Sequence, residues 1–316
     1  MPLYLVTGAA GFIGSHITEA LVRRGDQVRA LDNLASGDWS NLAGFDRNIE
    51  KVTASLTDAA AVAKAVEGVD VIFHQAALAS VPRSVADPLA THEACVTATV
   101  ILLDAARKAG VRRVVFAASS AAYGDLPAMA KRESDPPQPI SPYAAAKVAC
   151  EQYCQSFYRT YGLETVSLRY FNVFGPRQDP DSPYSAVIPL FMTRLLSGQR
   201  PVIYGDGLQS RDFTYVKNVV EGNLLAAEVP SAAGQIFNLA SGRSTTLLDL
   251  LTALQKLLGT TIEPDFQPPR VGDVRDSLAD ITLARSILGY EPKVGLEEGL
   301  AASLDYYRDL VERRKK

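Results

Sequence analysis

Short apolar runs rich in Val, Ile and Leu alternate with longer helical patterns through the first half of the chain. The runs predict strands at Leu3–Thr7, Gln27–Leu31, Glu50–Thr53, Val69–His74, Arg113–Ala118 and Glu164–Arg169. The periodicity between them predicts helices at Phe12–Arg24, Asp58–Val66, Pro88–Ala109 and Pro142–Tyr161. Gly25 and Gly110 stand where two of these helices should end. This rhythm predicts an α/β fold with a parallel sheet covered by helices on both faces.

The rhythm changes after Gly175, where a loop rich in Pro and Asp interrupts the chain. The remaining pattern predicts a helix near Ala186–Ser197, a strand-helix unit at Asp212–Ala227, a strand at Gln235–Leu239 and helices near Leu247–Leu258, Thr282–Leu288 and Leu296–Arg308. We therefore expect a sheet domain of residues 1–174 plus about 212–239. A smaller C-terminal lobe is expected from the discontinuous segments of about 175–211 and 240–316.

Composition places the chain among ordinary globular proteins. It has 316 residues, a hydrophobic content of 47%, a charged content of 21% and a net charge of −3, so no nucleic-acid partner is expected. The most apolar run, Ala94–Ala106, contains Thr97, Thr99 and Asp104 and is shorter than the roughly 20 residues that span a bilayer. We expect no membrane insertion. The N-terminal residues lack a signal-peptide pattern, which predicts a cytoplasmic protein.

The cysteines and histidines give no sign of a disulfide or a metal site. Cys150 and Cys154 lie one helical turn apart in an apolar pattern, and Cys95 leaves the set odd. This arrangement favours buried thiols. The three histidines are scattered and lack the spacing of metal ligands, so no metal is expected.

The segment VTGAAGFIGS places Gly8, Gly11 and Gly14 directly between a predicted strand and a predicted helix. Glycine permits a tight turn there and lets backbone N–H groups approach a pyrophosphate at the helix N-terminus. Asp32 follows the second predicted strand, where an acidic side chain accepts from ribose hydroxyls and repels a 2′-phosphate. The pattern predicts a Rossmann-type doubly wound sheet that binds NAD in preference to NADP. The alternative is a glycine-rich turn without a ligand.

A second motif, SPYAAAKVACE, puts Tyr143 and Lys147 one turn apart on one face of a helix. Such pairs are common on helix surfaces. This helix, however, follows the strand whose end delivers Ser119 and Ser120 to the ligand edge of the sheet. A neighbouring ammonium and the positive nicotinamide both favour a tyrosine phenolate, so Tyr143 is a candidate proton acceptor. Ser119, Tyr143 and Lys147 beside NAD predict a hydride-transfer site.

These motifs resemble the extended short-chain dehydrogenase/reductase family, and within it the sugar-nucleotide epimerases and dehydratases. The similarity covers essentially the whole chain, with TGAAGFIG, DNL, HQAA, SSAAYGD, YAAAK, RYFNVFGPRQDP, SRDF and RVGD in family order. Two positions depart from the pattern of many members. Ser55 stands where an Asp lies against the adenine, and Cys95 stands where an Asn lies near the cofactor.

The resemblance implies a role for each matching residue. Ser119, Tyr143 and Lys147 are implied as the catalytic residues. The residues implied in cofactor binding are Gly8, Gly11, Phe12, Ile13, Gly14, Asp32, Asn33, Ser36, Gly37, Ser55, Leu56, Gln75, Ala76, Ala77, Tyr143, Lys147 and Phe171. Those implied in substrate binding are Ser80, Ser84, Ser119, Ser120, Tyr143, Asn172, Val187, Tyr204, Arg211, Arg270, Asp273 and Ser277.

Within the substrate set, the resemblance assigns Arg211 and Arg270 to the diphosphate and Asp273 to the uridine ribose. Arg275 and Asp276, which lie between these residues and Ser277, are expected to face solvent.

The reaction follows from the residues after Ser119. Ser120 and Ala121 stand where a dehydratase of the family carries an Asp-Glu pair, and no decarboxylase-specific carboxylate is evident. The remaining residues suit reversible oxidation and reduction at one carbon, so we expect 4-epimerisation of a UDP-hexose through a 4-keto sugar. From a different class, a catalytically silent NAD-binding regulatory protein would keep the same fold.

The segment RYFNVFGPRQDPDSPYSAVIP resembles that of bacterial UDP-N-acetylglucosamine 4-epimerases. In the related epimerases, the position seven residues after the clamp arginine faces the sugar 2-substituent. Here it is Ser277, which is small enough to admit an acetamido group. We therefore expect UDP-GlcNAc/UDP-GalNAc as substrates, with UDP-Glc/UDP-Gal also admitted. A UDP-glucuronate 4-epimerase is the competing interpretation, with Arg177 available for the carboxylate.

The predicted helices Pro88–Ala109 and Pro142–Tyr161 carry more apolar surface than one sheet face would bury. In the family these two helices pair across a homodimer as a four-helix bundle, so the resemblance implies a homodimer here. Sugar nucleotides of this kind feed surface polysaccharide synthesis.

Overall fold

The computed structural model describes residues 2–45, 47–127, 129–180, 186–269 and 275–314. Within these ranges the strands are β1 (Leu3–Thr7), β2 (Gln27–Asp32), β3 (Ile49–Thr53), β4 (Val71–His74), β5 (Arg113–Ser119), β6 (Glu164–Tyr170), β7 (Val173–Phe174), β8 (Val202–Tyr204), β9 (Ser210–Arg211), β10 (Thr214–Tyr215), β11 (Ile236–Leu239), β12 (Thr245–Thr246), β13 (Asp265–Gln267) and β14 (Asp276–Ser277). The α-helices are α1 (Phe12–Arg24), α2 (Ala59–Ala65), α3 (Val81–Ala86), α4 (Pro88–His92), α5 (Ala98–Ala109), α6 (Pro142–Tyr161), α7 (Val187–Leu196), α8 (Val216–Glu228), α9 (Leu247–Leu258) and α10 (Leu296–Arg314).

Seven strands form one parallel sheet in the order β11-β6-β5-β4-β1-β2-β3. The order runs outward from β1 in both directions, so β1 and β4 meet where the chain changes direction across the sheet. In a doubly wound sheet, ligands bind outside the carboxyl ends of the strands at this point. The predicted α/β fold is confirmed, and β1 has the predicted bounds.

Local signals account for the helix ends that the sequence predicts. Gly25 and Gly110 take left-handed φ values of 89° and 74° and end α1 and α5, a conformation that glycine adopts without strain. Ser141 begins α6, where its side chain accepts from the Ala144 N–H at 3.2 Å. Asp58 lies just outside α2 and caps it, since its carboxylate accepts from two first-turn N–H groups.

The predicted helix Pro88–Ala109 is continuous but not uniform. Between α4 and α5, Glu93–Thr97 form a π-helical turn, which widens the helix locally and often marks a functional site. By length and composition this 22-residue helix could cross a membrane, with a mean hydropathy of 1.3. That is weak evidence, because core helices of soluble proteins pass the same test, and 44% of its most apolar window is buried in the fold.

Apolar side chains form three clusters. Two of them cover the opposite faces of the large sheet. The third joins Phe174, Ile188, Phe191 and Phe213 to residues of α9 and α10. Phe174 and Phe213 lie in the ranges expected for the sheet domain, whereas the other residues lie in those expected for the smaller lobe. The division into two lobes stays a prediction. Cys95, Cys150 and Cys154 are free and buried, which confirms the predicted thiols.

A buried ion pair fastens α6 to the sheet. Arg169 on β6 donates from Nε to Glu151 Oε1 at 2.9 Å and from Nη2 to Oε2 at 2.8 Å. The side chains are 2% and 0% exposed. The Arg169 guanidinium also lies 4.6 Å from the ring centroid of Tyr123. Because water cannot solvate either charge here, each charge is stabilised mainly by the other.

Replacing Glu151 with Gln should lower the free energy of unfolding by about 3–5 kcal/mol, because Arg169 would be left as a buried charge without a counterion. Denaturant titration of the purified variant measures the change. The control is Glu221→Gln, since Glu221 pairs with Lys293 at 3.3 Å where the side chains are 46% and 72% exposed. That loss should stay below about 1 kcal/mol. Equal losses in both variants would contradict the prediction.

Candidate functional site

Two neighbouring cavities open at the carboxyl edge of the sheet. The larger is an open cleft of about 1510 Å³ that runs from the glycine loop to Tyr143 and Lys147. The smaller has a volume of about 210 Å³ and lies among β7, β8, β9 and the first turns of α7. Most of the residues predicted for the cofactor line the larger cleft, and four of those predicted for the substrate line the smaller cavity.

The glycine loop is packed too closely for a side chain at Gly8 or Gly14. A Cβ added to Gly8, whose φ is +67°, would lie 2.7 Å from the Ala76 nitrogen. One added to Gly14 would lie 2.1 Å from the Gly8 carbonyl oxygen. No side chain caps the N-terminus of α1 at Gly11, so the positive end of the helix faces the cleft. This geometry suits a pyrophosphate.

Asp32 lies at the end of β2 on the wall of the same cleft, and its residue is 7% exposed. Its carboxylate accepts from the Ala10 N–H at 3.0 Å and from the Leu34 N–H at 2.8 Å. Each oxygen keeps a further lone pair, which can accept from a ribose hydroxyl. A 2′-phosphate at this position would face a fixed negative charge, so the wall favours NAD over NADP.

Lys147 is held beneath Tyr143 by a buried hydrogen bond. Its residue is 3% exposed, and Nζ donates to the Ala117 carbonyl oxygen at 2.7 Å. The same ammonium lies 5.9 Å from the ring centroid of Tyr143 and 4.9 Å from that of Phe116. Tyr143 itself lines the cleft.

Ser119 ends β5, and its hydroxyl accepts from the Ala121 N–H at 3.2 Å. This bond begins a short 3₁₀ turn over Ser120–Tyr123. Ala117 and Ala118, just before Ser119 on β5, line the cleft together with Tyr143. The strand therefore carries Ser119 to the same edge, as the position of the motif predicts.

A hydrogen-bonded chain that the sequence did not reveal runs beneath the cofactor cleft. Thr99 Oγ1 donates its hydrogen to the Cys95 carbonyl oxygen at 2.6 Å, so it accepts from His74 Nε2 at 2.9 Å. His74 Nδ1 then accepts from Thr7 Oγ1 at 2.8 Å, and Thr7 accepts from the Ala76 N–H at 3.3 Å. Burial, with a smaller effect from Lys147, lowers the pKa of His74 to about 3. The imidazole is therefore neutral and its tautomer is set.

The smaller cavity gathers four predicted substrate residues, Asn172, Val187, Tyr204 and Arg211. Ser277 lies beside them, because β14 pairs in parallel with β9 and places Ser277 opposite Arg211. Arg270 and Asp273 fall outside the described residues.

Asp212 anchors the backbone around Arg211 and Ser277. Its buried carboxylate accepts from the N–H groups of Ser241, Gly242 and Ala279 at 2.8, 3.0 and 3.3 Å, and from the Ser241 hydroxyl at 2.6 Å. Burial raises the pKa of Asp212, an effect that these hydrogen bonds only partly offset. The carboxylate therefore connects β9 to the segment that follows Ser277.

Most of the residues assigned to the cofactor line the larger cleft. They are Gly8, Gly11, Phe12, Ile13, Gly14, Asp32, Asn33, Ser36, Ser55, Leu56, Gln75, Ala76, Ala77, Tyr143 and Lys147, with Ser80 of the substrate set beside them. At the two departures from the family, the Ser55 hydroxyl lies 2.7 Å from Thr57 Oγ1, and the Cys95 carbonyl accepts from Thr99.

Some assigned residues lie behind the cavity walls. Phe171 is buried, with its ring centroid 6.1 Å from that of Tyr123. Ser84 is also buried, and its hydroxyl donates to the Val81 carbonyl oxygen at 2.6 Å. Gly37 packs against Ala10, where an added Cβ would lie 2.8 Å from the carbonyl carbon. Their assigned ligand contacts stay predictions.

Arg275 and Asp276 are exposed, as expected, but they also make contacts within the fold. Arg275 pairs with Asp206 at 3.2 Å, and Asp276 accepts from the Ser210 hydroxyl at 2.6 Å. Both residues are exposed, yet these contacts help hold β14 against β9. Among the described ranges, no three His, Cys, Asp or Glu side chains are grouped to hold a metal ion.

Comparison with known proteins agrees with this geometry. Residues 4–240 match the NAD dependent epimerase/dehydratase family. A UDP-glucose 4-epimerase from Mycolicibacterium smegmatis is 42% identical over 309 residues, which cover 96% of this chain and 98% of that protein. The solved UDP-N-acetylglucosamine 4-epimerase of Methanobrevibacter ruminantium, in complex with UDP-N-acetylmuramic acid, is 42% identical with a TM-score of 0.94, covering 98% of this chain and 99% of that one. A Thermotoga maritima UDP-glucose 4-epimerase with UDP-glucose is 40% identical, with a TM-score of 0.93 and the same coverage.

Replacing Gly14 with Ala should abolish dinucleotide binding, because the new Cβ would collide with the Gly8 carbonyl and push the loop apart. We expect NAD affinity to fall at least about a hundredfold, since the pyrophosphate depends on this backbone. Calorimetric titration with NAD measures the affinity. The control is Gly295→Ala, where an added Cβ meets nothing within 4 Å. Unchanged NAD affinity in Gly14→Ala would contradict the prediction.

Proposed function

Because this chain belongs to the NAD dependent epimerase/dehydratase family, we propose that it interconverts the two C4 epimers of a UDP-hexose. The observation that carries the proposal is the meeting of two sites. Tyr143 and Lys147 line the dinucleotide cleft. Arg211 lines the smaller cavity, and the pairing of β9 with β14 puts Ser277 opposite it. A sugar nucleotide whose diphosphate lies at Arg211 can present its hexose to Tyr143.

NAD is the cofactor of this family, and the cleft fits it. Gly8, Gly11 and Gly14 would hold the pyrophosphate, Asp32 the adenosine ribose, and Lys147 the nicotinamide ribose. The fit rests on the loop, where Gly8 and Gly14 leave no room for a Cβ, and on the carboxylate at the end of β2. When bound, NAD supplies reversible hydride acceptance, which oxidises a secondary alcohol to a ketone and allows its reduction again.

The side chains of this protein have separate tasks in that reaction. Tyr143 removes the proton of the sugar 4-hydroxyl, and the buried Lys147 ammonium lies beside its ring. Ser119 holds the 4-oxygen by a hydrogen bond. Arg211 retains the diphosphate while the 4-keto hexose turns its opposite face toward the cofactor. Tyr143 then returns the proton, and the protein ends unchanged.

We propose UDP-GlcNAc/UDP-GalNAc as substrates, with UDP-Glc/UDP-Gal also accepted. The support is Ser277, which is partly buried and adjacent to Arg211 in the β9–β14 pair. A small side chain there leaves room for a 2-acetamido group and places no barrier against a 2-hydroxyl. This assignment depends only on the small size of the Ser277 side chain, so both pairs of sugars would fit.

The glucuronate alternative is less well supported by the charges. Arg177, the candidate for a C6 carboxylate, donates to Glu19 Oε2 at 2.5 Å and lines the cofactor cleft near α1. Its charge is thus paired within the fold. Arg177 also donates to Ser15 Oγ at 3.4 Å, so both of its contacts hold it against α1.

We further propose that the protein is a cytoplasmic homodimer that feeds polysaccharide synthesis. The support for the dimer is an exposed apolar strip on α3, α4 and α6, in which Val85, Leu89 and Tyr153 are 65%, 82% and 42% exposed. A second copy of the chain would remove this strip from water.

Replacing Tyr143 with Phe should lower kcat for UDP-GlcNAc epimerisation by about 10²–10⁴-fold, because the base is lost while the ring that lines the cleft remains. NAD affinity should stay within about twofold of wild type, since the glycine loop is untouched. Product ratios from NMR measure the epimerisation. The control is Tyr153→Phe, ten residues further along α6 and 42% exposed. Near-normal turnover by Tyr143→Phe would refute the mechanism.

Replacing Ser277 with Tyr should abolish turnover of UDP-GlcNAc and keep that of UDP-Glc within about tenfold of wild type, because the bulk fills the space beside Arg211. Rates for UDP-GlcNAc, UDP-Glc and UDP-GlcA are measured side by side in wild type and variant. Ser277→Ala is the matched control, since it removes the hydroxyl and keeps the space. Parallel loss of both sugars in Ser277→Tyr, or a dominant UDP-GlcA rate in wild type, would contradict the assignment.

A further inference from the structure

The buried side chain of Asn238 joins three separate segments of the chain. Asn238 lies on β11 and is 0% exposed. Its Nδ2 donates to the carbonyl oxygens of Lys131 at 2.9 Å and Asp280 at 3.1 Å. Its Oδ1 accepts from the Tyr123 hydroxyl at 2.6 Å. Asn238 lines neither of the two cavities, so its amide works entirely within the fold.

The partners of this amide fix its orientation. A carbonyl oxygen can only accept, so the NH₂ group must face Lys131 and Asp280, and the amide oxygen must face Tyr123. The backbone is held as well, because the Asn238 N–H donates to Glu133 Oε1 at 2.7 Å. A fully bonded polar group in the interior is rigid. The amide therefore holds its three partners in one arrangement.

The first partner, Tyr123, ends the 3₁₀ turn that follows Ser119. Tyr123 is buried, and its hydrogen bond to Asn238 fastens the end of this turn to β11. The middle of the turn is held separately, since the Ala122 carbonyl oxygen accepts from the Gln138 N–H at 2.8 Å. The position of the turn next to Ser119 therefore depends on Asn238.

The other two partners hold the segment that follows Ser277. The Lys131 N–H donates to the Leu278 carbonyl oxygen at 2.8 Å, and the Lys131 carbonyl oxygen accepts from the Asp280 N–H at 2.9 Å. Leu278 follows Ser277 directly in the chain. The segment after Ser277 is therefore bonded to the same amide as the turn after Ser119.

We propose that Asn238 is a positioning residue for the hexose, because it fixes the spacing between Ser119 and Ser277. The inference rests on the proposed function, in which Ser119 bonds the sugar 4-oxygen and Ser277 faces the 2-substituent. Both groups are attached to one pyranose ring, so the sugar is aligned only when the two serines keep a matching distance. A displacement of about 1 Å at a reacting group can lower a rate about 10²-fold.

Replacing Asn238 with Leu, which has a similar shape, removes all three side-chain hydrogen bonds. We expect kcat for UDP-GlcNAc to fall about 10²-fold and KM to stay within about threefold of wild type, because alignment is lost while the nucleotide contacts remain. Turnover of UDP-Glc should fall only about tenfold, since a 2-hydroxyl depends less on the width of the gap beside Ser277. The affinities for NAD and UDP, measured by calorimetry, should stay within about threefold.

Tyr123→Phe is a milder second variant that serves if the Leu variant does not fold. It removes one hydroxyl and keeps the ring, so kcat for UDP-GlcNAc should fall about fivefold, with a smaller loss for UDP-Glc. In the double variant with Asn238→Leu, the two losses should not add, because both changes act on one network.

Asn218→Leu is the matched control. Asn218 is also a buried asparagine that joins distant segments, since its Nδ2 donates to the Val294 carbonyl oxygen at 2.8 Å and its Oδ1 accepts from the Val294 N–H at 3.0 Å. This variant should lose stability and keep the wild-type kcat for both sugars. Equal losses for both sugars in Asn238→Leu, accompanied by weaker UDP and NAD binding, would show that Asn238 only supports the fold and would overturn the inference.

Turnover by the wild type decides the proposed function separately. An active wild type whose Asn238→Leu and Tyr123→Phe variants keep both rates refutes the inference alone. A wild type that epimerises neither UDP-GlcNAc nor UDP-Glc refutes the function and the inference that rests on it.

Discussion

The approach of the glycine loop to the end of β4 is the constraint on which the rest of the site depends. Gly8 and Gly14 lie where a Cβ would overlap Ala76 or the loop itself, so α1 can begin directly above β1. The same contact brings the Ala76 N–H to Thr7, the first member of the chain that passes through His74 to Thr99. A neutral His74 keeps this chain intact, since a protonated ring could not accept from Thr7. The cofactor loop and the π-helical turn before α5 are therefore held in one arrangement.

The catalytic helix is attached to this arrangement from below. Cys150 lies one turn after Lys147 on α6, and its sulfur is 3.4 Å from Thr99 Oγ1 and 3.5 Å from the Cys95 carbonyl oxygen. The Glu151–Arg169 pair fastens the adjacent turn to β6. Lys147 itself is bonded to the Ala117 carbonyl. The ammonium therefore has little freedom to move away from Tyr143, and preorganisation of this kind is what makes a fixed charge effective in catalysis.

The sequence predicted whatever depends on local signals. Helix α1, helix α6 and strand β1 have the predicted bounds because their apolar periods lie within the elements, and the residues that cap the two helices lie directly beside them. The residues that line the cofactor cleft could also be predicted, because the carboxyl ends of parallel strands lie at one edge of the sheet. The role of His74 could not be predicted, because its partners Thr7 and Thr99 come from different elements.

The proposed substrate site depends on short pairings between distant segments. Arg211 and Ser277 are 66 residues apart and meet through two-residue strands, which are too short to be stable alone. Asp212 supplies the missing stability by joining β9 to Ser241, Gly242 and Ala279. A buried carboxylate can do this because several backbone donors compensate its desolvation. The dinucleotide half can thus be built from long, strongly patterned elements, while the substrate half uses brief contacts around one buried charge. Ser277 can then change without disturbing the sheet or helix α6, which carries Tyr143.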